Sequence, residues 1–146
     1  MNAFLYALAF VAGLLLTVQV GMNTAVRNAF GSPGAAALVN FLIGSGGLIA
    51  FVMVTRAPWP ARAALSGVPA WAWFGGLLGA FYVGSSVVVG PRLGAAALLA
   101  LTVFGQLAAS MVVDHYGWLN FPQHPLTLTR VAGAALLLAG VILIVR

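Results

Sequence analysis

The feature that most limits the fold is a set of five uninterrupted apolar runs, at residues 3–26, 34–54, 70–89, 93–113 and 126–145, which leave only 40 of the 146 residues for every connection and tail. A hydrocarbon core about 30 Å thick is crossed by about 20 helical residues rising 1.5 Å each, and every run meets that length. A spanning β-barrel would need short strands that alternate polar and apolar residues, whereas these runs are apolar on all sides. The sequence therefore predicts an all-α polytopic membrane protein, with five transmembrane helices in one membrane domain covering residues 1–146. Charged residues make up 5% of the chain, against about 25% in soluble domains, and the remainder is too short for a soluble domain.

Composition narrows the chemistry. The chain has no cysteine and only two histidines beside a single acidic residue, Asp114, so disulfides and a metal centre are not expected and no cofactor is implied. No basic residue precedes Arg27, and the first run is about twice as long as the apolar core of a signal peptide, which predicts a retained span. The net charge of +5 comes from six arginines less Asp114. All six fall at helix ends or in connections, where they meet lipid headgroups and water, so the basicity points to membrane lipid rather than to nucleic acid.

Five spans place the termini on opposite sides of the membrane. Arg56, Arg62 and Arg130 then share the side of the N-terminus, while Arg27, Arg92 and Arg146 share the other, three against three. Orientation normally follows an excess of Lys and Arg in cytoplasmic loops, so a tie predicts insertion in both orientations. The alternative is a single orientation set by loop length or lipid.

Proline supports the boundaries: Pro33, Pro69 and Pro125 each stand just before a span and Pro91 lies between two, where a missing amide is tolerated. Trp59, Trp71, Trp73, Tyr116 and Trp118 cluster in or beside the two long connections, as in an interfacial aromatic belt. Gly75 and Gly79 form a GxxxG pair, and Gly133 precedes Gly140 by two turns; these are expected to be helix-packing positions, since small residues let backbones approach in lipid.

Polar residues inside apolar spans are costly unless partnered, and so mark function. Gln19 and Asn23 lie four apart in the first span, and Gln106 and Ser110 repeat that spacing in the fourth. The second span contributes Asn40, with Gly44 and Gly47 on its face, and the third contributes Tyr82 and Ser86. Gln19, Asn23, Asn40, Tyr82, Ser86, Gln106 and Ser110 are thus the expected substrate-binding residues, with interhelical hydrogen bonding as the alternative role. Gln19 and Gln106 each lie about seven residues, roughly 10 Å, from opposite ends of their spans. In an antiparallel pair of chains the two would come level. Arg27 and Arg92 could draw an anion or simply snorkel to headgroups. Asp114 is expected to act structurally, accepting hydrogen bonds or pairing with an arginine at the interface, with a direct role in coupling as the alternative. No nucleophile stands close in sequence to a buried base: Ser85 and Ser86 lack one, and Asp114 with His115 falls at the surface, so an enzyme is not expected.

The run Gln19-Val-Gly-Met-Asn23 with Arg27 and Gly31-Ser-Pro resembles the YdcZ-type branch of the drug/metabolite transporter superfamily. So do Pro91-Arg-Leu-Gly-Ala-Ala, Gly105-Gln-Leu-Ala-Ala-Ser and Val113-Asp-His-Tyr-Gly. The closing Gly133-Ala-Ala-Leu-Leu-Leu-Ala-Gly140-Val-Ile-Leu-Ile is similar to the last helix of the wider superfamily, including the small multidrug resistance transporters. The resemblance implies a multi-pass inner-membrane protein, a five-helix unit equivalent to half of a ten-helix transporter, assembled as an antiparallel (inverted) homodimer. The small multidrug transporters carry a glutamate in the first helix and this chain has none, which argues against proton-coupled export of cations. The expected function is alternating-access transport of a small polar or anionic molecule across the dimer interface. The alternatives are a non-transporting accessory subunit, or one half of a heterodimeric transporter.

Overall fold

The computed structural model describes residues 2–146. Among them five helices are long and apolar enough to cross a membrane: α1 (Asn2–Phe30), α2 (Pro33–Thr55), α4 (Gly75–Leu93), α5 (Ala95–Tyr116) and α6 (Leu128–Val145), with a short α3 (Arg62–Ser66) after α2 and a 3₁₀ turn at Ala70–Phe74 leading into α4. The described residues contain no strand. The all-α, five-span expectation holds.

Local chemistry sets the ends. The Ser32 hydroxyl accepts the Ala35 amide at 3.2 Å and Pro33 occupies the first helical position of α2, the pairing that best satisfies a helix start. Gly31, at φ +67, breaks α1 from α2. Arg56 ends α2 in the left-handed conformation at φ 50, its amide turned back to the Met53 carbonyl at 3.3 Å. Gly117 ends α5 at φ +64, and Trp118 donates to the Val113 carbonyl at 3.0 Å. Thr127 caps α6 by accepting the Arg130 amide.

Several boundaries differ from expectation, α5 among them, which runs past Val113 to Tyr116. The first helix runs on to Phe30, taking Arg27 into its last turn, because an arginine stem can lie along apolar surface while its head reaches water. Pro91 lies inside the last turn of α4 instead of in a connection; it removes the amide that would have bonded to Val87, and the break between α4 and α5 falls at Gly94, at φ +84. The last helix begins at Leu128, since Thr127 before it is extended and its hydroxyl accepts the Arg130 amide as the cap.

The chain divides into two compact units, Met1–Val88 and Val89–Arg146. In the first, α1 packs on α2, and Ala36, Val83 and Val87 form a buried cluster with Val26, Ala37, Phe41 and Tyr82 around it. In the second, α5 packs on α6, and the connection between them is tied down by hydrogen bonds to both helices. His124 donates its amide to the Asp114 carbonyl at 2.8 Å, Gln123 Nε2 donates to the His115 carbonyl at 2.9 Å, and Arg130 donates to the His124 carbonyl at 2.8 Å and to the Asp114 carboxylate at 2.5 Å. Asp114 thus pairs with an arginine, as its position at a helix end suggested.

Candidate functional site

Helices α1 and α2 pack together on either side of a two-residue turn and so run antiparallel. Counting outward from that turn, Asn23 and Asn40 each lie seven residues along their helices, about 10 Å. Gln19 and Gly44 each lie eleven residues along, about 16 Å. A long amide side chain therefore stands level with a glycine. Nothing lies within 4 Å of where a Gly44 side chain would begin, and the missing side chain leaves room opposite Gln19.

A groove of about 610 Å³ occupies that room. Its polar side chains are Gln19, Asn40 and Ser45, set among Met22, Phe41 and Leu48, and none of its lining residues is ionisable. The two primary amides offer four N–H donors and two carbonyl acceptors, and the serine hydroxyl can do either. Such a lining can hold a hydroxyl, amide or carboxylate group by hydrogen bonds alone. Gln19 and Asn40 are half-buried, so their amides are reachable from the groove.

The other residues singled out in the sequence are placed differently. Asn23 is 5% exposed and does not line the groove. Ser86 is 3% exposed and its hydroxyl donates to the Val83 carbonyl one turn back at 2.8 Å. Tyr82 packs against the Ala36, Val83 and Val87 cluster. In the second unit, Gln106 is exposed, while Ser110 lines a separate pocket of about 220 Å³ with Asp114, Leu119 and Phe121. Of the glycines, Gly79 lies under the Phe41 ring, 3.6 Å from where its side chain would begin. Gly75, Gly133 and Gly140 have open space in that direction.

One point of the sequence reading changes. Ser45 lies in the run Gly44-Ser45-Gly46-Gly47, and following Asn40, Gly44 and Gly47 as one face leaves it about 100° off that face. The groove is wide enough to take both. A serine enclosed by glycines in an apolar run was the available signal. Along the helices themselves, Gln19 lies within a turn of the middle of α1 and Gln106 at the middle of α5.

The sequence profile of the family DMT_YdcZ, described as "Putative inner membrane exporter, YdcZ", matches residues 4–143. No curated protein and no solved structure matches the chain. Five membrane-length helices agree with a multi-pass inner-membrane protein. On a match that runs almost from end to end, the chain belongs to the DMT_YdcZ family, a branch of the drug/metabolite transporter superfamily.

Proposed function

We propose that the chain is a half-size exporter, two inverted copies of which move a small polar or anionic molecule by alternating access. The observation that carries this reading is the convergence of Gln19, Asn40 and Ser45 on one groove near the middle of membrane-length helices. Hydrogen-bonding groups at mid-depth with no charge among them suit a solute that must bind and leave from either side. Asn23, Tyr82 and Ser86 support the groove wall from behind, and Gln106 and Ser110 of the partner subunit complete the polar surface. The arginine tie supports inversion, because a chain with equal basic charge on both sides has no preferred orientation. Exchange of roles between two identical protomers then interconverts the inward-open and outward-open states.

The test uses the absence of native cysteine. Ser66→Cys, in the exposed α3, creates a single thiol that a membrane-impermeant maleimide reaches in intact cells only when that loop faces outward. Dual insertion labels about half of the protein, rising to completion after permeabilisation. Labelling of all or none of it before permeabilisation would overturn the inverted homodimer, and would favour an oppositely oriented sister chain or an accessory subunit.

A further inference from the structure

A second groove, of about 330 Å³, lies at the C-terminal end of α2. Leu48, Ile49, Val52 and Met53 form its apolar floor, and Arg56 and Trp59 stand at its mouth. From Leu48 to Arg56 the floor covers eight residues of helix, about 12 Å, close to the depth of one leaflet of a 30 Å hydrocarbon core. The polar end of the groove thus sits at headgroup level and the rest within the depth of the acyl chains of the same leaflet. Trp59 is 84% exposed, at the level where indole rings settle.

Arg56 is exposed, and the sequence leaves no free carboxylate side chain to pair with it. Asp114 is the one acidic residue of the sequence, and Arg130 occupies it. Arg56 also holds a left-handed position, φ 50 and ψ 35, that glycine fills without strain. The helix cap is made by backbone amides and would form with glycine equally well, so the cap does not account for the guanidinium. Outliers of this kind point to a role for the side chain itself.

We propose that this groove binds one anionic phospholipid, its phosphate against the Arg56 guanidinium and one acyl chain along Leu48, Ile49, Val52 and Met53. The planar guanidinium grips two phosphate oxygens at once. The apolar floor gives the chain a fixed track. The site is independent of the transport reading, although Leu48 borders both grooves.

The test reads Trp59 directly. Trp71→Phe, Trp73→Phe and Trp118→Phe leave it as the single tryptophan, and the purified variant in phosphatidylcholine vesicles is titrated with phosphatidylglycerol or phosphatidylcholine carrying brominated acyl chains, which quench a tryptophan they touch. The expected result is half-quenching at about fivefold lower mole fraction of phosphatidylglycerol, the factor one basic side chain supplies near an anionic surface. In the same background, Arg56→Gln and Arg56→Gly bring the two lipids together, while Arg146→Gln keeps the preference. Equal quenching by both lipids, or a preference that survives at position 56 without arginine, would overturn the proposal. Failure of either lipid to quench would also overturn it, since protein, such as a second copy, would then cover the groove. Should the triple tryptophan replacement not fold, native mass spectrometry of the unaltered chain gives the same comparison. The unaltered chain is expected to retain one phosphatidylglycerol in preference to phosphatidylcholine and Arg56→Gln to retain neither selectively; equal retention by the unaltered chain refutes the site.

Discussion

Asp114 and Arg130 each occupy the helix end that disfavours their charge. The carboxylate is in the last turn of α5, beside the negative end of the helix dipole, and the guanidinium is in the first turn of α6, beside a positive end. Each misplacement costs about 0.3–1 kcal/mol. Their ion pair, at 2.5 Å with the side chains 34% and 20% exposed, offsets both. Opposite charges 4 Å apart at a protein surface attract by about 4 kcal/mol before desolvation. The net worth of partly exposed pairs is far smaller, and a hydrogen-bonded charge pair with this exposure should contribute about 1–2 kcal/mol.

Reversing the pair isolates the two effects. Asp114→Arg alone sets two cations together and Arg130→Glu alone sets two anions together, so each should lower stability by about 1–3 kcal/mol. The double variant restores attraction and puts both charges on the favoured helix ends. It also places a glutamate three residues after the Thr127 cap, the spacing of a capping box. It should therefore come within about 1 kcal/mol of the unaltered chain, with a coupling of at least about 2 kcal/mol across the cycle. The assay is thermal unfolding in detergent followed by tryptophan fluorescence, with Trp118, stacked on Tyr116 at 4.9 Å, as a reporter close to the pair. At about 2–4 °C per kcal/mol, each single change should lower Tm by several degrees and the double should recover most of it. Both residues lie on one side of the membrane, and the double change leaves that side's basic count unaltered. Additive losses, with coupling below about 0.5 kcal/mol, would refute the pairing argument.

Gln19→Leu and Asn40→Leu should each abolish accumulation of exported solute in everted vesicles while moving Tm by less than about 2 °C, because each side chain faces a groove and not a packed core; a large Tm loss would make them packing residues. Gly79→Ala should raise stability by up to about 1 kcal/mol, since the added methyl meets Phe41 at an ordinary 3.6 Å; a fall in Tm would mean that another surface uses the gap. Ser32→Ala should cost about 1 kcal/mol through loss of the α2 cap, read as a lower Tm with no change in oligomeric state. Gln106→Leu should shift the monomer–dimer equilibrium in detergent toward monomer by about threefold or more, the worth of one interhelical amide, and a more stable, equally dimeric variant would show that Gln106 meets lipid.

The five helices were legible because membrane thickness imposes a minimum length of apolar chain that no other fold requires. Their ends were less so. Hydropathy measures where the hydrocarbon stops, whereas the helices continue to Phe30, Leu93 and Tyr116 past it, carrying Arg27, Arg92 and Asp114 into the interface. Leu126 went the other way: it is apolar, yet the helix starts only after Thr127, which caps it, and hydropathy does not register a cap. Gln19 and Asn40 could be picked out as amides among apolar neighbours. That they share a groove depends on Gly44 standing level with Gln19, which became visible once the length of the α1–α2 turn was fixed. Ser86 looked polar in sequence and is satisfied within its own helix.

Gln106 lies at the centre of α5 and is exposed on its own unit, and an amide left unsatisfied in hydrocarbon is costly. On α6, Gly133 and Gly140 leave open space where side chains would be, a surface that a helix could approach closely but that lipid tails fill poorly. An exposed amide and a smooth helix surface occur in the same unit, and the proposed inverted dimer would give both a protein neighbour. Within that proposal, the arginine tie is what lets the neighbour be the same sequence inserted the other way. An inverted pair relates its protomers by a two-fold axis lying in the membrane plane, so any group at mid-depth in one recurs at mid-depth in the other. Gln19 and Gln106 both lie near the middle of their helices, which is the level at which two such copies bring their polar groups together.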